Sequence, residues 1–140
     1  MAHIKTGLRI HGKNGHPKVR EALIRFAKWL RKIKEFPVRV NVYLSQREYL
    51  VALDGDQCFG TIWIPDDPEY YPSIRLATGD YEMREQKFGR DNALAKDLNT
   101  LSHELVHYWQ WIETGDMWEK GVPRQATTLV NLYSKSTAHP

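Results

Sequence analysis

Apolar residues in the stretch HPKVREALIRFAKWLRKIKEFP fall at Val19, Leu23, Phe26, Leu30 and Ile33. Their alternating spacing of four and three residues describes one face of a helix. Pro17 suits its first turn, where a missing N–H costs nothing, and Pro37 ends it. Trp29 sits at the edge of the stripe, and Lys18, Arg25, Lys28 and Lys32 lie away from its centre. The pattern then changes period. In VRVNVYL, Val38, Val40, Val42 and Leu44 point one way and Arg39, Asn41 and Tyr43 the other, which predicts a strand. Asp54-Gly55 lies between two apolar runs and predicts a hairpin turn. The arm from Cys58 to Ile64 has strand character and stops at Pro65, and DDPEYYP is a loop. SIRLATGD is another short strand, with Ile74 and Leu76 on one face.

The charged segment YEMREQKFGR gives no assignment. After it, Asp91 is expected to cap a long helix whose seam is Leu94, Leu98, Leu101, Leu105, Tyr108 and Ile112. Thr114-Gly115-Asp116 ends that helix. A last, shorter helix begins near Pro123 and carries Ala126, Leu129, Val130 and Tyr133, and the tail SKSTAHP is expected to fray. The order is helix, three or four strands, long helix, shorter helix. That predicts one α+β domain over residues 1–140.

Composition narrows the classes. A chain of 140 residues is long enough for a real core. No apolar run approaches a membrane span, and MAHIKTGLRIHGKNGHPK lacks the apolar stretch of a signal peptide, so a cytoplasmic location is expected. The single cysteine, Cys58, has no internal disulfide partner and is read as a buried, inert thiol. The net charge of +3 is unevenly spread. Residues 1–40 hold eleven Lys/Arg against two Glu, a balance of +9, and residues 41–140 hold nine against fifteen, a balance of −6. Such a basic segment is either a solvated helix face or a surface for nucleic acid.

The long helix carries the chemistry, in LSHELVHYWQWIETGDMWEKG. With Leu98 set at zero and about 100° per residue, the seam leucines and Ile112 fall within about 60°. On the same wheel His103 falls near 140° and His107 near 180°, opposite the core. Residues four apart stack on a helix, so both imidazoles can reach one ion. Glu104 points to the flank of the pair, where it can contact a metal-bound water without being a ligand, which is the mechanical content of H-E-x-x-H.

A catalytic zinc needs a third protein ligand and one open position. Gln110 shares the histidine face, but a neutral amide is a poor zinc ligand and suits a polar supporting role better. Glu113 points away, and Asp116 is too near the turn to return easily. Glu119 is the best candidate. The helix runs roughly 9 Å past His107, and the extended residues from Asp116 to Glu119 can cover that distance on the way back. The result is a His₂Glu set, as at hydrolytic zinc.

At these residues the chain resembles the zincin metallopeptidases, and in particular the small gluzincins called minigluzincins. The resemblance implies an N-terminal helix, a short twisted sheet, an active-site helix bearing H-E-x-x-H and a following helix that supplies a glutamate. The element order agrees over nearly the whole chain, and the sharp agreement is HELVH at 103–107. One difference stands out: VPRQATTLVNLY has no acidic residue, and Glu119 lies just ahead of it. The resemblance also implies that the strand near SIRLATGD is a sheet edge along which a substrate peptide pairs antiparallel. It further implies latency in some members through a terminal segment, a role for His139 if the tail folds back onto the metal. A second resemblance is to the SprT-like group, which works near DNA and takes a histidine as third ligand.

These readings make the chain a zinc-dependent metallopeptidase acting on protein or peptide substrates. Zn²⁺ acidifies its water, and Glu104 takes the proton and delivers it to the leaving amine. Arg75, Arg124 and Tyr133 are candidate donors to the oxyanion. Tyr108 and Trp109 are expected in the core, and Trp111 is placed to line a cleft. Two alternatives remain open: a nucleic-acid-binding module using the basic segment, and a zincin fold that holds metal with little catalysis.

Overall fold

The computed structural model describes His3 and residues 5–136. Its first element is a strand, β1 (Leu8–His11), ahead of α1 (Pro17–Ile33). The sequence pattern assigns no strand there, because four alternating residues carry little signal beside a helix of 17 residues. They become a strand because β2 (Val40–Ser45) supplies a pairing partner. β1 pairs parallel with β2, and β2 parallel with β6 (Ser73–Ala77). β5 (Gly60–Trp63) closes the four-stranded sheet, antiparallel to β6. Leu50–Val51 (β3) and Gln57–Cys58 (β4) form a separate small hairpin about Asp54-Gly55, as the turn signal predicts. Gly55 takes the positive φ of 89° that this turn requires.

Two strand expectations change. β6 lies between β2 and β5, so it is not an edge; the edge strands are β1 and β5, and β5 is the one beside β6. The run from Cys58 to Ile64 is also broken, because Phe59 leaves the hairpin and gives its carbonyl to the Ala77 N–H at 2.8 Å. Cys58 is half-buried rather than fully buried, and burial, with the nearby Glu104 charge, pushes its thiol pKa up.

Register explains the layering. Val42 pairs with Ile74 and Leu44 with Leu76, so alternate residues of adjacent strands share one face. That face is packed against Leu23, Phe26 and Leu30 of α1 and against Leu101 and Leu105 of α3 (Arg90–Thr114). Both helices therefore lie on one side of the sheet, and the core sits between. Ile33 ends the α1 stripe but is 43 % exposed, whereas Leu30 in the same last turn is fully buried. Tyr108 ties α3 to the chain two residues ahead of β2 by hydrogen bonds in both directions with the Val38 backbone.

The unassigned charged segment is a helix, α2 (Tyr81–Phe88). Its anchor is ionic. Arg84, 3 % exposed, donates to both Asp97 oxygens at 2.9 and 3.2 Å and to the Ala93 carbonyl at 2.6 Å, and it lies 3.1 Å from Asp80. Burial pushes the Asp97 carboxyl up to about 6 against the pull of Arg84. The expected cap at Asp91 is not one: Gly89 holds the cap position with φ 84°, and Asp91 sits inside the first turn. At the other end Gly115 takes the left-handed conformation and bonds back to the Trp111 carbonyl. α4 (Val122–Ser134) then packs against α3. The result is the α+β order that the pattern predicts, with a sheet of four strands and four helices among the described residues. No helix among them is long and apolar enough to cross a membrane.

Candidate metal centre

His103 and His107 stand one turn apart on α3, with ring centroids 5.2 Å apart and planes at 71°. Opposite them the chain returns. After Gly115, the Asp116 N–H is held by the Thr114 hydroxyl at 3.1 Å, and the Trp118 N–H donates to Gln110 Oε1 at 3.0 Å. Glu119 follows, and its carbonyl accepts from Val122 N–H as α4 begins. This fold-back brings Glu119 Oε1 to 2.6 Å from His107 Nε2 and 3.3 Å from His103 Nε2. The three ligand atoms lie within 4.8 Å of one another, and together they form a group able to hold a metal ion.

The histidines point away from the hydrophobic seam, but their face is not open to water. His107 is 7 % exposed and His103 partly covered, because the returning loop roofs the turn. Gln110, expected to support the site rather than ligate, is in contact with His107. His107 Nδ1 faces Gln110 Oε1 at 3.0 Å, and the Trp118 N–H fixes that atom as the amide oxygen. An amide oxygen only accepts, so Nδ1 carries the proton. With Nδ1 so engaged, Nε2 is the ring atom that faces the Glu119 carboxylate, at 2.6 Å. In the Nδ1–H tautomer Nε2 presents a lone pair there, the form in which an imidazole binds a metal. A tetrahedral ion with bonds of about 2.0–2.1 Å keeps its ligand atoms roughly 3.3 Å apart. The His103 pair already has that spacing, and Glu119, with a 71 % exposed side chain, is free to give the rest. The donor set fits a divalent ion. Burial, the largest single influence, pushes the Glu119 carboxyl up, but the contacts with His107 and His103 together outweigh it and hold it below its usual range.

Glu104 lies beside this group and is 8 % exposed. Burial raises its pKa, opposed by the neighbouring His103 and His107. β5 runs directly against it. A Cβ on Gly60 would stand 2.7 Å from Thr100 Cγ2, 2.9 Å from Leu76 Cδ2 and 3.5 Å from Glu104 Cγ. Only glycine lets the edge strand come this close to α3. Clefts open on both sides of Glu104. One, of about 550 Å³, is bordered by Phe59, Lys96, Asn99, Thr100, His103 and Thr127. The other, of about 360 Å³, is bordered by Ile62, His107, Met117, Trp118 and Glu119.

The other predicted participants are elsewhere. Tyr133 is 2 % exposed, with its ring against Phe26 and Trp29 in the core. Arg75 is exposed on the sheet face turned away from α3, because its β6 neighbours Ile74 and Leu76 face the core. Arg124 is exposed on α4 and borders neither cleft. Trp111 packs beside Tyr108 and His3 instead of lining a cleft. Tyr108 and Trp109 join the core as expected. His139 lies outside the described residues. Trp118, expected to pack in the core or at the rim, is 46 % exposed and borders the second cleft. Gly60 and Met117 are the site residues that sequence reasoning missed, and neither carried a signal.

Comparisons of the chain with protein-family models, with curated proteins and with solved structures found no match.

Proposed function

We propose that the chain is a zinc-dependent metallopeptidase of the small gluzincin kind. The observation that carries this reading is the convergence of His103, His107 and Glu119 beside a buried Glu104, at the mouth of a cleft bordered by an edge strand. His103, His107 and Glu119 hold the ion. When bound, zinc supplies Lewis acidity to a scissile carbonyl and lowers the pKa of water. A protein or peptide substrate lies along β5, pairing with its free edge, a role the resemblance alone would have given to β6. Glu104 accepts the proton of the attacking water and passes it to the departing amine. Its raised pKa suits the first transfer, since a stronger base takes the proton from water more readily.

The test is zinc binding and hydrolysis measured on the same variants. Glu104→Gln is expected to keep zinc and lose about 10²–10⁴-fold in turnover of an unstructured protein substrate. Glu119→Ala is expected to lose zinc affinity. Zinc-loaded protein that cleaves no peptide bond would end the catalytic reading, and a Glu119→Ala variant with full affinity would end the ligand assignment.

A further inference from the structure

The sheet has a second face, and no helix packs on it among the described residues. Register sets two rows across it. Arg9, Asn41, Ser73 and Trp63 stand side by side, and next to them His11, Tyr43, Arg75 and Thr61. Each row holds one arginine and at least one aromatic ring. The His11 ring stacks on Tyr43 at 4.6 Å with the planes at 15°, and its Nε2 meets Asn41 Oδ1 at 2.9 Å. Tyr43 is 43 % exposed and Trp63 52 %. Strand spacing and rise put these two rings roughly 12 Å apart, enough for two separate stacking partners. At one end the face runs into a groove of about 540 Å³ bordered by Tyr43, Arg47 and Arg75.

The charge is of one sign. None of the 17 acidic residues falls on the four strands. Arg9, Arg47 and Arg75 form no ion pair among the described residues, whose ion pairs all involve other side chains. Exposed rings alternating with unpaired guanidinium groups on an open sheet are what unstacked bases and a phosphate backbone require. An acidic protein would engage the arginines and leave the rings without a stacking partner. A duplex offers no free base face.

We propose that this face binds single-stranded nucleic acid, with bases stacked on Tyr43 and Trp63 and phosphates held by Arg9, Arg47 and Arg75. The site does not depend on the metal centre. It also lies on the opposite side of the sheet from α1, whose Lys28 and Lys32 are the other basic candidates.

The experiment is fluorescence anisotropy with labelled oligothymidine and oligouridine of about 12 nucleotides, at about 50 mM salt and upward, where phosphate contacts are strongest. Both probes are expected to bind, more tightly than a duplex of equal length, with affinity falling as salt rises. Tyr43→Ala and Arg75→Ala are each expected to weaken binding about tenfold. Glu104→Gln and the Lys28→Glu, Lys32→Glu double variant are expected to bind as the parent chain does. Of the five target residues all but Glu104 are exposed, and an unchanged circular dichroism spectrum shows each variant folded. A preference between the two probes tells whether the ligand is DNA or RNA. Absence of binding to both probes at low salt overturns the proposal. So does binding that survives Tyr43→Ala and Arg75→Ala together, or that is lost with the α1 variant instead.

Discussion

One oxygen, Gln110 Oε1, receives the His107 Nδ1 proton and the Trp118 N–H at 3.0 Å each. It thereby sets the tautomer of one proposed ligand and holds the loop that delivers another. Partners of this kind are worth about 10–100-fold in metal affinity. Gln110→Leu is expected to lose zinc affinity in that range, read by competition with a chromogenic chelator. Affinity equal to that of the parent would mean that the loop is held by its other bonds. At this scale the sequence was most readable. The spacing of His103 and His107 and the placement of Glu104 follow from helix geometry, which needs no tertiary information. The return of Glu119 was a matter of chain length. The donors Arg75 and Tyr133 were misplaced because a residue's face depends on its strand register or helix neighbours, which residue type does not encode.

At the scale of elements, two junctions hold the site in place. The first is β5 on α3. Gly60→Ala would set a Cβ into Thr100 and Leu76, and overpacking of this kind costs about 1–3 kcal/mol. Chemical denaturation should detect that loss. The strand should also move off Glu104, so turnover is expected to fall while zinc affinity holds. The second junction is α2 on α3, through Arg84 and Asp97. Asp97→Ala leaves a guanidinium buried without its main partner and is expected to destabilise the fold by about 3–5 kcal/mol. The hydrophobic pattern could not reveal α2, because its anchor is an ion pair and only Tyr81 and Arg84 are buried.

For the molecule as a whole, the proposed metal binding would be linked to folding. A ligand that binds only the folded chain stabilises it, by about 2.7 kcal/mol at a hundred times its dissociation constant. Zinc is expected to raise the melting temperature, and a chelator to reverse the rise; Glu119→Ala should show neither change. Proton linkage acts through Asp97, whose carboxyl burial raises from 3.8 to about 6. The folded chain holds that proton more tightly, so the contribution to stability is fully present below about pH 3.8 and is lost as pH rises through about 6. Comparing the parent chain with Asp97→Asn across that window should isolate the slope. Equal slopes in the two proteins would assign it to other groups.

The sequence by itself determined the α1 and α3 faces, the hairpin turn, the α+β order and the histidine pair with its flanking carboxylate. These are local properties: periodicity, turn chemistry and the four-residue stacking of a helix act over one or two turns of chain. Tertiary structure alone decided that β5, not β6, is an edge strand, that Gly60 brings it against Glu104, that a loop roofs the histidines, and that arginines and aromatic rings alternate on the sheet's open face. Each of these brings together residues far apart in the chain. Their juxtaposition is set by strand order, register and the burial of a shared core, and no local pattern records those.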